Sequence, residues 1–137
     1  ITMEGVSTMN CYVIDTYAWI EYFLGTEKGL VVSKIIENPK NESFSSMLTV
    51  AELSRYFERK NLSFIEAKQR LLSLSNIIPF TIAFADELGR VSYQISRKRK
   101  HMGMADVSVY LVAKQLNTKI VTGDQDFKGL PNVIFLK

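Results

Sequence analysis

The feature that most restricts this chain is Cys11-Tyr12-Val13-Ile14, an apolar run without polar alternation that stops at Asp15-Thr16. A strand with one wet face alternates apolar and polar residues, so an unbroken run predicts a strand covered on both faces, as in a parallel sheet. Asp15 then stands at the carboxyl end of that strand, where open α/β sheets gather ligand-binding and catalytic groups. The arrangement recurs late in the chain, where Lys119-Ile120-Val121-Thr122 runs into Gly123-Asp124.

Between these two strands, helical and extended patterns alternate. Tyr17 to Leu24 reads as a short helix stopped by Gly25. Leu30 to Ile36 reads as a second, closed by Asn38-Pro39 because the residue before proline avoids the helical region. Trp19, Tyr22 and Phe23 make the first helix more aromatic than one buried stripe requires, so it is expected either to be deeply buried or to offer a partner surface, for instance for self-association. Ser43 to Leu48 reads as a second strand, followed by a helix that opens at Thr49-Val50-Ala51-Glu52 and runs to about Lys60. Thr49 as cap and Glu52 three positions later form a capping-box pattern, which is a structural reason for that acid. Against it, Glu52, Arg55 and Arg59 share one face while Val50, Leu53 and Phe57 share another, an arrangement suited to a metal beside a phosphate track.

Ser63 is expected to cap a helix whose apolar series is Phe64, Ala67, Leu71 and Leu74. Ile77 to Phe80 is a short strand, Ala83 to Lys100 a long helix that becomes increasingly basic, and Gly103 a break before the helix Met104 to Leu116. That last helix is apolar on nearly every side of Asp106. The helix dipole favours an acid in the first turn, but it does not explain a charge on an otherwise buried element. Val133 to Leu136 supplies a final strand, and the whole predicts one alternating β/α domain with right-handed crossovers.

A chain of 137 residues is long enough for one domain with a real core. No apolar stretch approaches the roughly 18 residues of a membrane span. The lone Cys11 rules out a disulfide within the chain and predicts a reducing, cytoplasmic setting. Ile1 to Thr8 lacks the basic start and apolar centre of a secretion signal, and residues 1–9, ending in Met9, are expected to be a leader partly of artificial origin ahead of a single domain at 10–137. The net charge of +3 suits a polyanionic partner, and Arg97-Lys98-Arg99-Lys100-His101 concentrates it just before the helix of Asp106. A solvated helix end is the structural alternative for that basic run.

Asp15, Glu52, Asp106 and Asp124 each have a local structural reason, yet together they lie at strand ends and helix starts available to one rim of a parallel sheet. Carboxylates gathered there repel and raise each other's pKa unless a cation is present. An oxygen-only donor set favours Mg²⁺ or Mn²⁺, and one Cys with one His does not make a zinc site. Such a site suits phosphodiester hydrolysis without a histidine base, so His101 needs no catalytic role. Arg55, Arg59, Arg97, Lys98, Arg99 and Lys100 would hold a nucleic-acid backbone without reading its sequence.

Asp15-Thr16, Thr49-Val50-Ala51-Glu52, Met104-Ala105-Asp106 and Thr122-Gly123-Asp124-Gln125-Asp126-Phe127 resemble, in order, the acidic motifs of the PIN-domain ribonucleases, specifically VapC-like toxins of toxin-antitoxin pairs. The resemblance covers about residues 10 to 137. It implies a five-stranded parallel sheet in a three-layer α/β/α sandwich, Mg²⁺- or Mn²⁺-dependent endoribonuclease activity, a homodimer, and inhibition by a cognate antitoxin. By the same resemblance Asp15, Glu52 and Asp106 are the core metal ligands and Asp124 the fourth acid, with Asp126 a rival or additional ligand. Thr16 and Thr122 would orient those carboxylates. Two rivals stand beside it. Phosphotransfer folds of the haloacid-dehalogenase or receiver type also place an aspartate after the first strand, but Asp15-Thr16-Tyr17 lacks the second aspartate of the former, and no acidic pair precedes the strand as in the latter. A catalytically inactive PIN-like module that binds RNA or protein is the non-enzyme alternative.

Overall fold

Val13 and Ile14 are both fully buried, yet they point to opposite sides of one sheet and enter different cores. The structure is a computed structural model and describes residues 10–137, so the expected leader lies outside the described residues. Its elements are β1 (Asn10–Ile14), α1 (Thr16–Leu24), α2 (Glu27–Ile36), β2 (Asn41–Ser46), α3 (Met47–Arg59), α4 (Ile65–Leu74), β3 (Asn76–Ile78), α5 (Ile82–Ser96), α6 (Met104–Leu116), β4 (Lys119–Thr122), a short 3₁₀ turn (Gln125–Phe127) and β5 (Val133–Phe135). The five strands form one sheet in the order β3-β2-β1-β4-β5, and every pairing is parallel.

Val13 and Ile120 pack with Phe84 and Leu88 of α5, Leu111 and Val112 of α6, and Phe127. Ile14 and Val121 pack on the opposite side with Ala18 and Trp19 of α1, Val32 of α2, Leu53 of α3 and Leu71 of α4. Burial on both faces is what an uninterrupted apolar strand demands, and it makes the fold the expected three-layer α/β/α sandwich. Each fully buried Val or Ile contributes about 1.5–3 kcal/mol relative to exposure, so the two central strands anchor both cores.

β2 is built differently. Ser43, Ser45 and Ser46 are buried, and hydroxyls left unpaired there would cost about 1–3 kcal/mol each. Ser45 Oγ accepts the Trp19 indole N–H at 2.9 Å and pairs with Ser75 Oγ at 2.8 Å, tying α1 to the sheet. Trp19 is therefore core, and the partner-surface expectation survives only for its neighbours Tyr22 and Phe23, which are half-buried. A β-carbon on Gly29 would sit 2.1 Å from the Glu21 carbonyl oxygen, so only glycine lets α1 and α2 cross this closely.

Several boundaries differ from expectation, and at the starts of α2 and α3 a capping side chain is the reason. β2 ends at Ser46 rather than Leu48 because Ser46 Oγ accepts the Leu48 amide at 3.1 Å and starts α3 earlier than expected. Thr49 and Glu52 thus lie inside α3, no capping box forms, and the local structural reason for Glu52 disappears. Thr26 accepts the Gly29 amide at 3.0 Å and starts α2 at Glu27. Ser63 accepts the Ile65 amide at 3.3 Å, but Phe64, not Ser63, immediately precedes α4. α5 stops at Ser96, which leaves Arg97 to Lys100 in the connection to α6 rather than on a helix. Among the described residues no helix is long and apolar enough to cross a membrane.

Candidate metal centre

The register Ile14↔Val121 places the ends of β1 and β4 side by side, and the Asp15 amide donates to the Val121 carbonyl at 3.2 Å. Asp15 caps α1, with Oδ1 accepting the Ala18 amide at 2.9 Å. Its Oδ2 accepts the Thr122 hydroxyl at 2.5 Å, while Thr122 Oγ1 in turn accepts the Asp124 amide at 2.9 Å. One hydroxyl thereby joins the carboxylates at the two strand ends. Asp124 continues the chain of contacts by accepting the Asp126 amide at 2.9 Å, which fixes the 3₁₀ turn.

Asp106 arrives from the first turn of α6, and carboxylate oxygens of Asp106, Asp124 and Asp126 all lie within 4.8 Å of one another. Oxygens bound 2.0–2.1 Å from one Mg²⁺ span at most about 4.2 Å, so this trio needs only small side-chain movement or one bridging water to surround a single ion. Asp124 and Asp126 both offer a carboxylate oxygen to this group. Asp15, nearly inaccessible, and Glu52, exposed, are not among these three, although Asp15 feels the charges of Asp106 and Asp124, and Asp106 that of Glu52. The Glu52 carboxylate accepts the Thr16 hydroxyl at 2.5 Å, a link from α3 to the first residue of α1.

The electrostatics match this crowding. Burial raises the Asp15 carboxyl from its ordinary 3.8 to about 7, with Asp124 and Asp106 adding repulsion against the hydrogen bonds from Thr122 and Ala18. Asp106 is also pushed up to about 7, first by burial and then by Asp124, Asp126 and Glu52, partly offset by the Gly103 backbone. Every acid singled out in the sequence therefore faces at least one other. The site is short of positive charge in the manner of a cation site, and its donors are all oxygen, the chemistry that Mg²⁺ and Mn²⁺ prefer.

The basic residues are less concentrated. Arg55 and Arg59 are exposed on α3, and the Arg59 guanidinium lies over the Tyr56 ring at 5.5 Å. Arg97, Lys98 and Lys100 are exposed, whereas Arg99 is half-buried and donates to the Asp126 and Lys128 carbonyls at 2.9 Å each. It is not a free cation awaiting phosphate.

Several contacts near the rim escape a reading of residue order alone. Ser46 and Ser108 pair at 2.7 Å and bind the start of α3 to α6, the helices of Glu52 and Asp106. Tyr17 packs against Gly123, where an added β-carbon would come within 2.3 Å of its ring, and its hydroxyl accepts from Lys28 Nζ at 2.9 Å. The proximity of Tyr17 to Asp15-Thr16 is a usable signal; contacts spanning α2, β2 and α6 leave none. Buried Thr49, one turn before Glu52, has a hydroxyl with no partner among the described residues. Elsewhere Tyr22, Phe23, Tyr56, Phe57, Leu62 and Arg70 border an apolar groove of about 490 Å³.

Several known proteins are similar. A toxin-antitoxin complex from Klebsiella pneumoniae aligns with a TM-score of 0.70 at 19% identity, covering 92% of this chain and 98% of that one. VapBC2 from Rickettsia felis, bound to a DNA fragment from its promoter, aligns at 0.65 and 22% identity, covering 91% and 96%. Mycobacterium tuberculosis VapC20, described as a sarcin-ricin loop cleaving toxin, aligns at 0.70 and 11% identity, covering 89% and 96%. These likenesses establish a shared fold. No curated protein sequence matches the chain. The family model described as the PIN domain matches residues 12–133, a span that contains every acid of the rim, and the chain belongs to that family.

Proposed function

We propose that this protein is a divalent-metal-dependent endoribonuclease that hydrolyses RNA phosphodiester bonds, and that it is the toxin of a toxin-antitoxin pair. The observation that carries the reading is the convergence of Asp106, Asp124 and Asp126 beside Asp15 and Glu52, with two carboxyls raised to about 7 by burial and mutual repulsion. Asp15, Glu52, Asp106 and Asp124 would hold the ion, Mg²⁺ or Mn²⁺, with Asp126 close enough to share in it. A divalent ion held there would supply the acidification of water and the charge compensation that phosphodiester hydrolysis needs.

The chain's own residues prepare that site. Thr122 holds Asp15 and the Asp124 backbone in one arrangement, and Thr16 holds Glu52, so the carboxylates need little reorganisation. Arg55 and Arg59 lie on the same helix as Glu52 and give the RNA backbone a basic track, with Arg97, Lys98 and Lys100 as further cations. PIN family membership supports nuclease chemistry, and the likeness to toxin-antitoxin complexes supports a cognate antitoxin. The apolar groove bordered by Tyr22, Phe23 and Phe57 offers a protein partner something to cover. A homodimer acting in the cytoplasm completes the reading on the family resemblance, and light scattering of the purified chain tests the dimer.

The deciding experiment is RNA cleavage with Mg²⁺ or Mn²⁺, with chelator, and with Asp106→Asn. Cleavage that needs the ion and disappears in the variant is expected. Chelator-insensitive cleavage, or equal activity in the variant, would refute the metal mechanism, and RNA binding without cleavage would favour an inactive binding module.

A further inference from the structure

We propose that Arg99 is a positioning residue for the acidic rim, fastening the loop of Asp124 and Asp126 to the segment that leads into Asp106. The inference rests on the metal-nuclease reading above and gives this one cation of the basic run a different task from its neighbours.

Arg97, Lys98 and Lys100 are exposed, as residues meant for a mobile polyanion should be, while Arg99 is half-buried. Its two terminal nitrogens address different peptide units. Nη1 donates to the Asp126 carbonyl and Nη2 to the Lys128 carbonyl, each at 2.9 Å, which is the forked geometry only a guanidinium offers. The loop is arranged to receive it. Asp126 is held at its amide by Asp124 Oδ1 and at its carbonyl by Arg99, so both ends of that residue are pinned. Gly129 comes next with φ +88°, a conformation that non-glycine residues rarely adopt, and a β-carbon there would stand 3.3 Å from Nη2. Buried Phe127 anchors the same turn from below.

The other end of the contact matters equally. Arg99 lies in the connection between α5 and α6, and its own amide donates to the Ile95 carbonyl at 2.8 Å, which fixes it to the last turn of α5. Met102, three residues on, is buried in the core that also holds Phe127. The guanidinium therefore spans the two segments that deliver the trio of converging carboxylates. Loosening it would let Asp124 and Asp126 drift from Asp106 without removing any acid.

The test uses the full chain with Arg99→Gln and Arg99→Lys, and three readouts: Mn²⁺ affinity by calorimetry, RNA affinity against salt in chelator, and amide exchange of the metal-free protein. As a partner that orients metal ligands, Arg99 should weaken Mn²⁺ binding about 10- to 100-fold when replaced by Gln. Arg99→Lys should recover little, because an ammonium cannot bridge both carbonyls. Exchange at the Asp126 to Leu130 amides should rise in both variants. The salt slope of RNA binding should not change, whereas a lost phosphate contact on a single strand would lower it by about 0.7.

Unchanged Mn²⁺ affinity and loop exchange, with RNA affinity lost in Gln and restored in Lys, would overturn the proposal and make Arg99 a phosphate contact. Wild-type protein that binds no Mn²⁺ would refute the proposed function instead, and loop exchange alone would then decide the clamp. If Arg99→Gln fails to fold, Arg99→Lys carries the same three measurements.

Discussion

The ends of β1 and β4 share the same plan, an apolar strand that gives way to a hydroxyl and a carboxylate, yet they produce opposite environments. Asp15 is 3% exposed, with both oxygens occupied by Ala18 and Thr122. Asp124 is half-exposed, has one oxygen on the Asp126 amide, and lies beside two other carboxylates. The segment after each strand makes the difference. Beyond Asp15 the chain turns at once into α1, and the helix start closes over the carboxylate. Beyond Asp124 it makes only a 3₁₀ turn, which leaves room for Asp126 and Asp106 to approach. One strand end is closed over its carboxylate and the other stays open to solvent.

The largest expected effect tests this division directly. Asp106→Asn and Asp15→Asn should each lower Mn²⁺-dependent RNA cleavage by more than the roughly 10- to 100-fold that partners of metal ligands cost. Asp124→Asn alone should stay within that range, because Asp126 can take its place, and the Asp124→Asn/Asp126→Asn double variant should fall to the level of Asp106→Asn. Equal losses for Asp15→Asn and Asp124→Asn would erase the distinction.

Next in size is Thr122→Val, which keeps the volume of the side chain but removes the hydroxyl between the two ends. It should weaken Mn²⁺ binding about 10- to 100-fold in calorimetry while leaving the fold intact. Smaller again is the pH dependence of the metal-free protein. The folded pKa values of Asp15 and Asp106 lie near 7, above the ordinary 3.8, so the folded state binds more protons between these limits. Stability from these groups is full below about pH 4 and is lost as pH rises through about 7. The melting temperature should therefore fall across that window, and saturating Mn²⁺ should raise it most at the alkaline end. The smallest effect is Asp124→Asn in the absence of metal at alkaline pH. Relief of repulsion should stabilise the protein by no more than about 1 kcal/mol, the scale of a single partly exposed charge pair, read from denaturant unfolding.

Elements that announce themselves by unbroken apolar runs were legible from residue order. β4 and α6 occupy the expected residues, and β1 stops at Ile14 just before the acid. Cap placement around β2 was not. Buried Ser45 and Ser46 look like loop residues, and only partners 26 to 62 positions away, Trp19, Ser75 and Ser108, make their hydroxyls tolerable in a strand. The local bond from the Leu48 amide to Ser46 then moved the start of α3 and stripped Glu52 of its capping explanation. The acids themselves were legible because each stands at the edge of an apolar element, although their order of approach was not. Asp126 joins Asp106 and Asp124 through the turn after β4, and nothing local distinguishes it from an ordinary Asx turn. Arg99 sits among cations of the same kind, and its contacts with carbonyls 27 and 29 residues away are a property of the folded chain alone.

Because Asp15 caps α1 as well as facing the other acids, its loss should damage architecture together with the proposed chemistry. Replacing a capping Asp by Ala costs about 1 kcal/mol on average, before any activity is considered. Asp124 caps only the short 3₁₀ turn, and Glu52 lies inside α3 with a single bond from Thr16, so less of the architecture rests on either. Descendants drifting toward inactivity should therefore shed those outer carboxylates first and keep the aspartate after the opening strand as a relic.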